Sequence, residues 1–360
     1  MKLNLSFKVS MLMACMAAWM PVWACTGITL TSVDSCTVMA RTIEWGGSDL
    51  NSQYVVVPRG HVGQSYTLTG VDGMKFSARY GYVGLAVEQK EFVAEGLNEA
   101  GLSAGLFYFP GYGKYEDYDE HEKDCSIADL QLVSWLLGHC ATVEEVVAAM
   151  DSVHVIAIDP RASTVHWRFA DVTGRQVVLE IIDGKKHFYE NRLGVLTNSP
   201  GFEWQITNLN NYVNLFPGSA PAQELGGVRL AQFGAGSGFL GIPGDVTPPS
   251  RFVRAAFYQA TAPVPATALD AVLGAFQILN NFDIPIGIEF AAGKIPADIP
   301  SATQWTSATD VRNRVVYYRT MWNSRIRCID LKCIDFATVG YCAVPLDAEK
   351  RQPIEAVVLP

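Results

Sequence analysis

"PVWACTGITL", residues 21–30, joins two patterns that do not belong to one element. Up to Ala24 the chain is an apolar run, and after Cys25 the β-branched spacing is that of a strand. The first 24 residues carry Lys2 and Lys8 but no acid, and nothing from Met11 to Ala24 is charged. Val22 and Ala24 stand at −3 and −1 of a cut before Cys25. A basic start, an apolar middle and a small residue at the cut mark a secretory signal. The apolar part is short for a membrane span, which disfavours an uncleaved anchor. The expectation is a leader over 1–24 and a working domain over 25–360 that starts on a cysteine. The chain would then be exported, to the periplasm or beyond. No later stretch reads as apolar enough for stable membrane insertion.

Charge narrows the partners. The chain has 27 basic and 36 acidic residues, a net −9. Without Lys2 and Lys8 the balance is −11, with no basic block, which argues against nucleic acid and anionic membrane surfaces. No linker-like tract, repeat or low-complexity run divides residues 25–360, so one domain is the simpler reading.

Strand signals dominate early. "GITLTS" and "CTVMARTIEW" flank Asp34-Ser35 as a hairpin, and "FVAEGLNEAGLSAGLFYF" continues the pattern with Asn98-Glu99-Ala100-Gly101 as a turn. The period then changes. Ser126 is the expected cap of a helix through "IADLQLVSWLLGH", and Thr142 with Glu145 forms a capping box for the next. Strands follow at "VHWRFADV", "QVVLEIID", "HFYEN" and "GVLTN", then helices at "FEWQITNLNNYV", "RFVRAAFYQA" and "TALDAVLGAFQILNN". The end is strand-like again in "RVVYYRTMW" and "RIRCIDLKCIDF". Strands in blocks and helices in blocks indicate an α+β fold, not an alternating parallel array.

Seven cysteines remain after Cys15 leaves with the leader: 25, 36, 125, 140, 328, 333 and 342. The neighbouring pairs resist bridging. A helix between Cys125 and Cys140 separates them by ~22 Å, beyond a disulfide's reach of under ~7 Å. Cys328 and Cys333 in one strand would lie ~17 Å apart on opposite faces. No Cys/His spacing makes a zinc site, so neither metal nor cofactor is expected. The six histidines are scattered and read as structural or surface residues.

A cysteine at the N-terminus has particular chemistry. Its thiol and its α-amino group have ordinary pKa values near ~8.5 and ~7.7–8.0. The amine can take the thiol's proton and later return it to a leaving amine, work that an internal cysteine leaves to a histidine. Downstream, "ARTIEW" sets Arg41 and Glu44 in the strand that pairs back towards Cys25. Arg41 can favour the thiolate, and Glu44 can hold the α-ammonium.

Cys25 followed by "TGITL", Arg41 sixteen residues on, "NEAGLSAGL", "GVLTNSPGFEWQITNLNNY" and "PGDVTPPSRFVRAAF", in that order, resemble the choloylglycine hydrolase and penicillin V acylase family of N-terminal-nucleophile hydrolases. The resemblance implies a four-layer αββα sandwich of antiparallel sheets and often a homotetramer. It implies that Cys25 is the nucleophile, Arg41 the active-site arginine, Asn198 an oxyanion donor and Arg251 a member of the charge network. The family's usual Asp stands here as Glu44, one methylene longer. Where relatives carry Asn or Tyr after "AGL", this chain has Phe107, which offers a backbone N–H as the second oxyanion donor.

The expected activity is hydrolysis of a linear amide through a Cys25 thioester. Trp45, Phe107 and Tyr108 are candidate walls of an apolar acyl pocket. Conjugated bile salts are the favoured substrates, with penicillin V and acyl-homoserine lactones as alternatives. A competing reading is a lipid-anchored binding protein, since lipoprotein processing also cuts before cysteine and would consume both reactive groups. A papain-like Cys–His protease finds no suitable histidine segment, and "GAGSGFLGIPG" lacks the strand and helix of a nucleotide loop.

Overall fold

The computed structural model describes residues 23–158, 163–291 and 293–359. Residues 1–22, most of the expected leader, lie outside them. In chain order the main strands are β1 (Trp23–Thr31), β2 (Thr37–Trp45), β3 (Gln53–Val57), β4 (Tyr82–Ala86), β5 (Val93–Asn98) and β6 (Ser103–Tyr108). They continue with β7 (Val165–Ala170), β8 (Gln176–Ile182), β9 (Lys185–Glu190), β10 (Thr303–Asp310), β11 (Val315–Thr320), β12 (Arg327–Asp330) and β13 (Cys342–Pro345). The helices are α1 (Leu132–His139), α2 (Val143–Ala149), α3 (Phe202–Asn208), α4 (Pro248–Thr261) and α5 (Ala268–Leu279).

The strands form two antiparallel sheets, as an α+β sandwich requires. Sheet I has the order β1-β2-β10-β11-β12, and sheet II the order β9-β8-β7-β6-β5-β4-β3-β13. Helices α4 and α5 cover sheet I, α1 covers sheet II, and β1 faces β6 across the middle. This is the αββα layering. The sheets approach closely at Gly27, where a Cβ would stand 2.7 Å from Arg168 Nη1 and 2.9 Å from Phe107 Cζ. Only a glycine allows that approach.

Two hairpins carry the site, and their turns explain their register. In β1–β2, Ser32 N–H donates to Cys36 O (3.0 Å), and Ser35 takes φ 62° in the tight reversal at Asp34-Ser35. In β5–β6, Asn98 Oδ1 accepts from Gly101 N–H (2.9 Å) and Leu102 N–H (2.8 Å), and Gly101 has φ 95°. Asn98 Nδ2 then donates to Leu137 O and Cys140 O, pinning this hairpin to the end of α1.

Several local expectations are corrected. Ser126 starts no helix: it closes the 3-10 turn Glu120–Cys125, Ser126–Ala128 is a short strand, parallel to His154–Ile156, and the Ser126 hydroxyl donates to Glu122 O. The helix starts at Leu132, and its residues through Gly138 are all buried. Thr142 does cap α2 by accepting from Glu145 N–H, but Glu145 reaches Ala141 N–H rather than closing the box on Thr142. "GVLTN" forms a single bridge, at Leu196. The run through Cys328 and Cys333 breaks after Asp330, whose carboxylate accepts from Lys332 N–H and starts a 3-10 turn. All seven described cysteines are free thiols. Finally, Ala268–Ile288 does have the length and mean hydropathy (1.3) to cross a membrane, contrary to the sequence reading. In the fold its first part is α5, whose Ala271, Val272, Ala275 and Leu279 are fully buried against sheet I.

Candidate active site

Cys25 sits on the edge strand of sheet I, where backbone groups remain free for another segment. That segment is the chain at Leu196. Gly27 N–H donates to Leu196 O (2.7 Å) and Leu196 N–H to Gly27 O (3.1 Å), an antiparallel bridge. Extending the register two residues sets Asn198 opposite Cys25. The side chain completes the match: Cys25 N–H donates to Asn198 Oδ1 at 2.9 Å. Here Cys25 follows Ala24, so this peptide N–H stands in for the α-amino group that a cut would leave.

Asn198 is a junction, 1% exposed. Its Oδ1 also accepts from Arg251 Nη2 (2.6 Å), and its Nδ2 donates to Tyr108 O (2.8 Å). One of the two N–H groups on Nδ2 is thus engaged by Tyr108 O. Arg251, in the first turn of α4, donates to Cys25 O, to Thr26 Oγ1 (2.9 Å) and to Val246 O (2.8 Å). Pro248 and Pro249 open that helix, where missing backbone donors cost nothing.

Arg41 reaches the thiol from the other side. It pairs with Gly27 across the hairpin, so its side chain shares a face with Cys25. It donates to Ala94 O (3.1 Å), Leu106 O (2.5 Å) and Thr42 O (3.2 Å), and its guanidinium lies 4.0 Å over the Phe107 ring. Its Nη2 has no hydrogen-bond partner among the described residues. Burial pushes the Cys25 thiol up; Arg41 pulls it down, Glu44 pushes it up, and the Tyr108 backbone and Arg251 pull it down.

Glu44 pairs in register with Ala24, one step from Cys25 and on the opposite face. It accepts from Thr303 Oγ1 (3.2 Å), and the nearest partner of Cys25 N–H is Asn198, not Glu44. Burial raises the Glu44 carboxyl to about 8, with Arg251 the chief opposing influence.

Phe107 is relocated by the structure. Its ring is fully buried between the sheets, beneath Arg41, so it walls no acyl pocket. The backbone group at the thiol is that of Tyr108, one residue on. Tyr108 and Trp45 are both half-buried, and Trp45 Nε1 donates to Ser48 Oγ (3.0 Å).

Three site residues escaped the sequence reading. Glu95 and Arg168 lie beneath Arg41, and His166 is no scattered histidine. Buried and stacked on Phe109 at 4.4 Å, His166 bonds Glu180 Oε1 (3.0 Å) and Thr197 O (3.2 Å), next to Asn198. Polar residues in fully buried strands such as "VAEGLN" and "VHWRFA" were the available signal, because buried charges need partners.

A thiol, an adjacent nitrogen, two arginines and an asparagine amide converge around Cys25 on the edge strand of one sheet. Such a set can attack a carbonyl, hold an oxyanion and move a proton. Comparison with known proteins agrees. Residues 25–343 match the family described as linear amide C-N hydrolases, choloylglycine hydrolase family. The chain is 31% identical over 315 residues to the bile salt hydrolase/transferase of Clostridium perfringens, covering 85% of this chain and 92% of that one. It is 25% identical to the penicillin V acylase of Pectobacterium atrosepticum, covering 88% and 82%. The crystal structure of a mutant conjugated bile acid hydrolase from Clostridium perfringens superposes with a TM-score of 0.78 at 29% identity, covering 93% and 100%. The chain therefore belongs to the choloylglycine hydrolase family and is a hydrolase of linear amide C–N bonds.

Proposed function

We propose that the chain is exported, cut before Cys25, and releases glycine or taurine from conjugated bile salts through a Cys25 thioester. The observation that carries the mechanism is the three-way junction at Asn198, which ties the Cys25 nitrogen, Arg251 and the Tyr108 backbone into one frame. The free α-amine takes the thiol proton, and the thiolate attacks the amide carbon. The oxyanion is held by the second N–H of Asn198 Nδ2 and by the Tyr108 N–H, in place of the Phe107 N–H. The C–N bond breaks as the α-ammonium passes its proton to the leaving amine. Water, deprotonated by the α-amine, then attacks the thioester and releases the bile acid. Arg251 fixes the Cys25 carbonyl, so the nitrogen and sulfur keep their relative positions. Trp45 and Tyr108 border the acyl group.

Bile salts are favoured because the relatives with the higher identity carry that activity in their names. The test is a side-by-side release assay of purified protein with glycine- and taurine-conjugated bile salts and penicillin V, preceded by intact-mass measurement. Bile acid release from a chain beginning at a free Cys25 is the expected result. Release from penicillin V alone moves the substrate assignment to that acylase. A diacylglyceryl mass on Cys25, or another N-terminus, overturns the mechanism.

A further inference from the structure

Beneath Cys25, between the sheets, lie Arg41 on β2, Glu95 on β5 and Arg168 on β7, none more than 2% exposed. Glu95 Oε1 faces Arg168 Nη2 at 3.4 Å, and Glu95 Oε2 faces Arg41 Nη1 at 3.6 Å. The two guanidinium groups flank one ring, that of Phe107, at 4.0 and 5.1 Å. The cluster presses on the nucleophile's own strand, since Arg168 Nη1 fills the space a Gly27 side chain would need and donates to Ile28 O (3.3 Å). Two cations thus share one anion in a dry layer.

The count matters. Arg41 and Glu95 alone would form a neutral pair, and a neutral pair gives a nearby thiolate little. With Arg168 present, one positive charge is left over. Among the described residues Arg41 Nη2 has no hydrogen-bond partner, and neither do Glu95 Oε2 and Arg168 Nε, so pairing inside the cluster is incomplete and its surplus positive charge is not compensated there; a buried cation without an anion is costly. A thiolate at Cys25 supplies it. We propose that Arg168 is a positioning residue for the reaction: by occupying Glu95, it leaves Arg41 as the uncompensated cation that the Cys25 sulfur answers. This rests on the proposed role of Cys25 as nucleophile. Arg168 also feels the Cys25 charge directly, an effect of the same sign; outside the cluster the groups facing the sulfur are Glu44 from β2, Arg251 from α4 and the Tyr108 backbone from β6.

The test uses protein whose intact mass shows Cys25 as first residue. The rate of Cys25 alkylation by iodoacetamide is followed against pH, read on the N-terminal peptide by mass spectrometry so that the other thiols do not interfere. The cluster's net charge is +1 in the natural protein, 0 in Arg168→Met, +2 in Glu95→Gln and +1 in the double variant. The alkylation midpoint should rise by about one pH unit in Arg168→Met, fall in Glu95→Gln and return near the natural value in the double variant and in Arg168→Lys. An unchanged midpoint in folded Arg168→Met, with only stability lowered, overturns the inference. Should Arg168→Met fail to fold, Glu95→Gln and the double variant decide, and equal midpoints in those two overturn it as well. A natural protein whose Cys25 titrates like a free thiol and releases no amine overturns the proposed mechanism itself, a result distinct from both.

Discussion

Arg41 and Arg251 reach Cys25 from opposite faces of β1 and are built differently. Arg251 spends its donors on neutral oxygens that define geometry: the Cys25 carbonyl, Thr26 Oγ1, Asn198 Oδ1 and the Val246 carbonyl. Arg41 also binds carbonyls, yet on the thiol's face of the sheet its Nη2 has no partner among the described residues. One arginine holds atoms in place; the other holds charge in reserve. If Cys25 is nucleophile and base at once, as proposed, both are needed, because that residue must be fixed and its sulfur must also ionise.

Removing what both arginines serve should have the largest effect. Cys25→Ser should fold normally and lose on the order of 10³-fold or more in kcat, since a hydroxyl beside the same amine is a far poorer nucleophile. Retained turnover in an amide release assay would place the nucleophile elsewhere. Asn198→Ala comes next, at about 10²–10³ in kcat. It removes the proposed oxyanion N–H and also the acceptor shared by Cys25 N and Arg251. A change confined to KM would show that Asn198 binds substrate uniformly and is not needed in the transition state.

The comparison is sharpened by replacing each arginine with lysine. Lysine keeps the charge but not the planar fork. Arg251→Lys should lower kcat by roughly tenfold to a hundredfold, the worth of about one charge-assisted hydrogen bond at ~1.5–3 kcal/mol that loses its geometry. Arg41→Lys should lose less in kcat and keep the pH midpoint of Cys25 alkylation near that of the natural protein. If both variants behave alike, the division of labour is wrong.

How much of this was legible beforehand follows from the range of each interaction. The β1–β2 hairpin, the α4 and α5 helices and the α+β class rest on local periodicity and turn chemistry, and they stand as read. Cys25, Arg41, Asn198 and Arg251 were found because each lies in an ordered short motif, and the structure gathers them. Glu95 and Arg168 are not legible in the sequence: they lie 54 and 127 residues from Arg41 along the chain, in strands of the opposite sheet. His166 was missed for a similar reason, since Thr197 comes near only through the bridge that aligns Asn198. Phe107 was placed one residue from the backbone donor because strand alternation, invisible without register, turns its ring inward.

Glu44 gives the smallest effect and the one that belongs to Arg251's face alone. With Ala24 in place its carboxyl is raised to about 8 by burial, against about 4.3 in an unfolded chain. Between those values the folded chain holds a proton that the unfolded chain has released, so stability falls as pH rises from about 4.5 to 8 and is flat above. A cut before Cys25 changes this. Ala24 pairs with Glu44 in register, so its removal leaves an ammonium beside the carboxylate and favours the ionised form. The urea midpoint should therefore slope downward more steeply across pH 5–8 in a chain retaining Ala24 than in one beginning at Cys25. Glu44→Gln should make the two slopes equal. Asp129 and Glu289, both raised to about 7 by burial, add a slope of their own, but it is common to both chains and cancels in the difference. Identical slopes in the two natural-sequence chains would mean that the new ammonium does not reach Glu44. Asn198 would then remain its partner, and Arg251 would hold Cys25 from that face without help from Glu44.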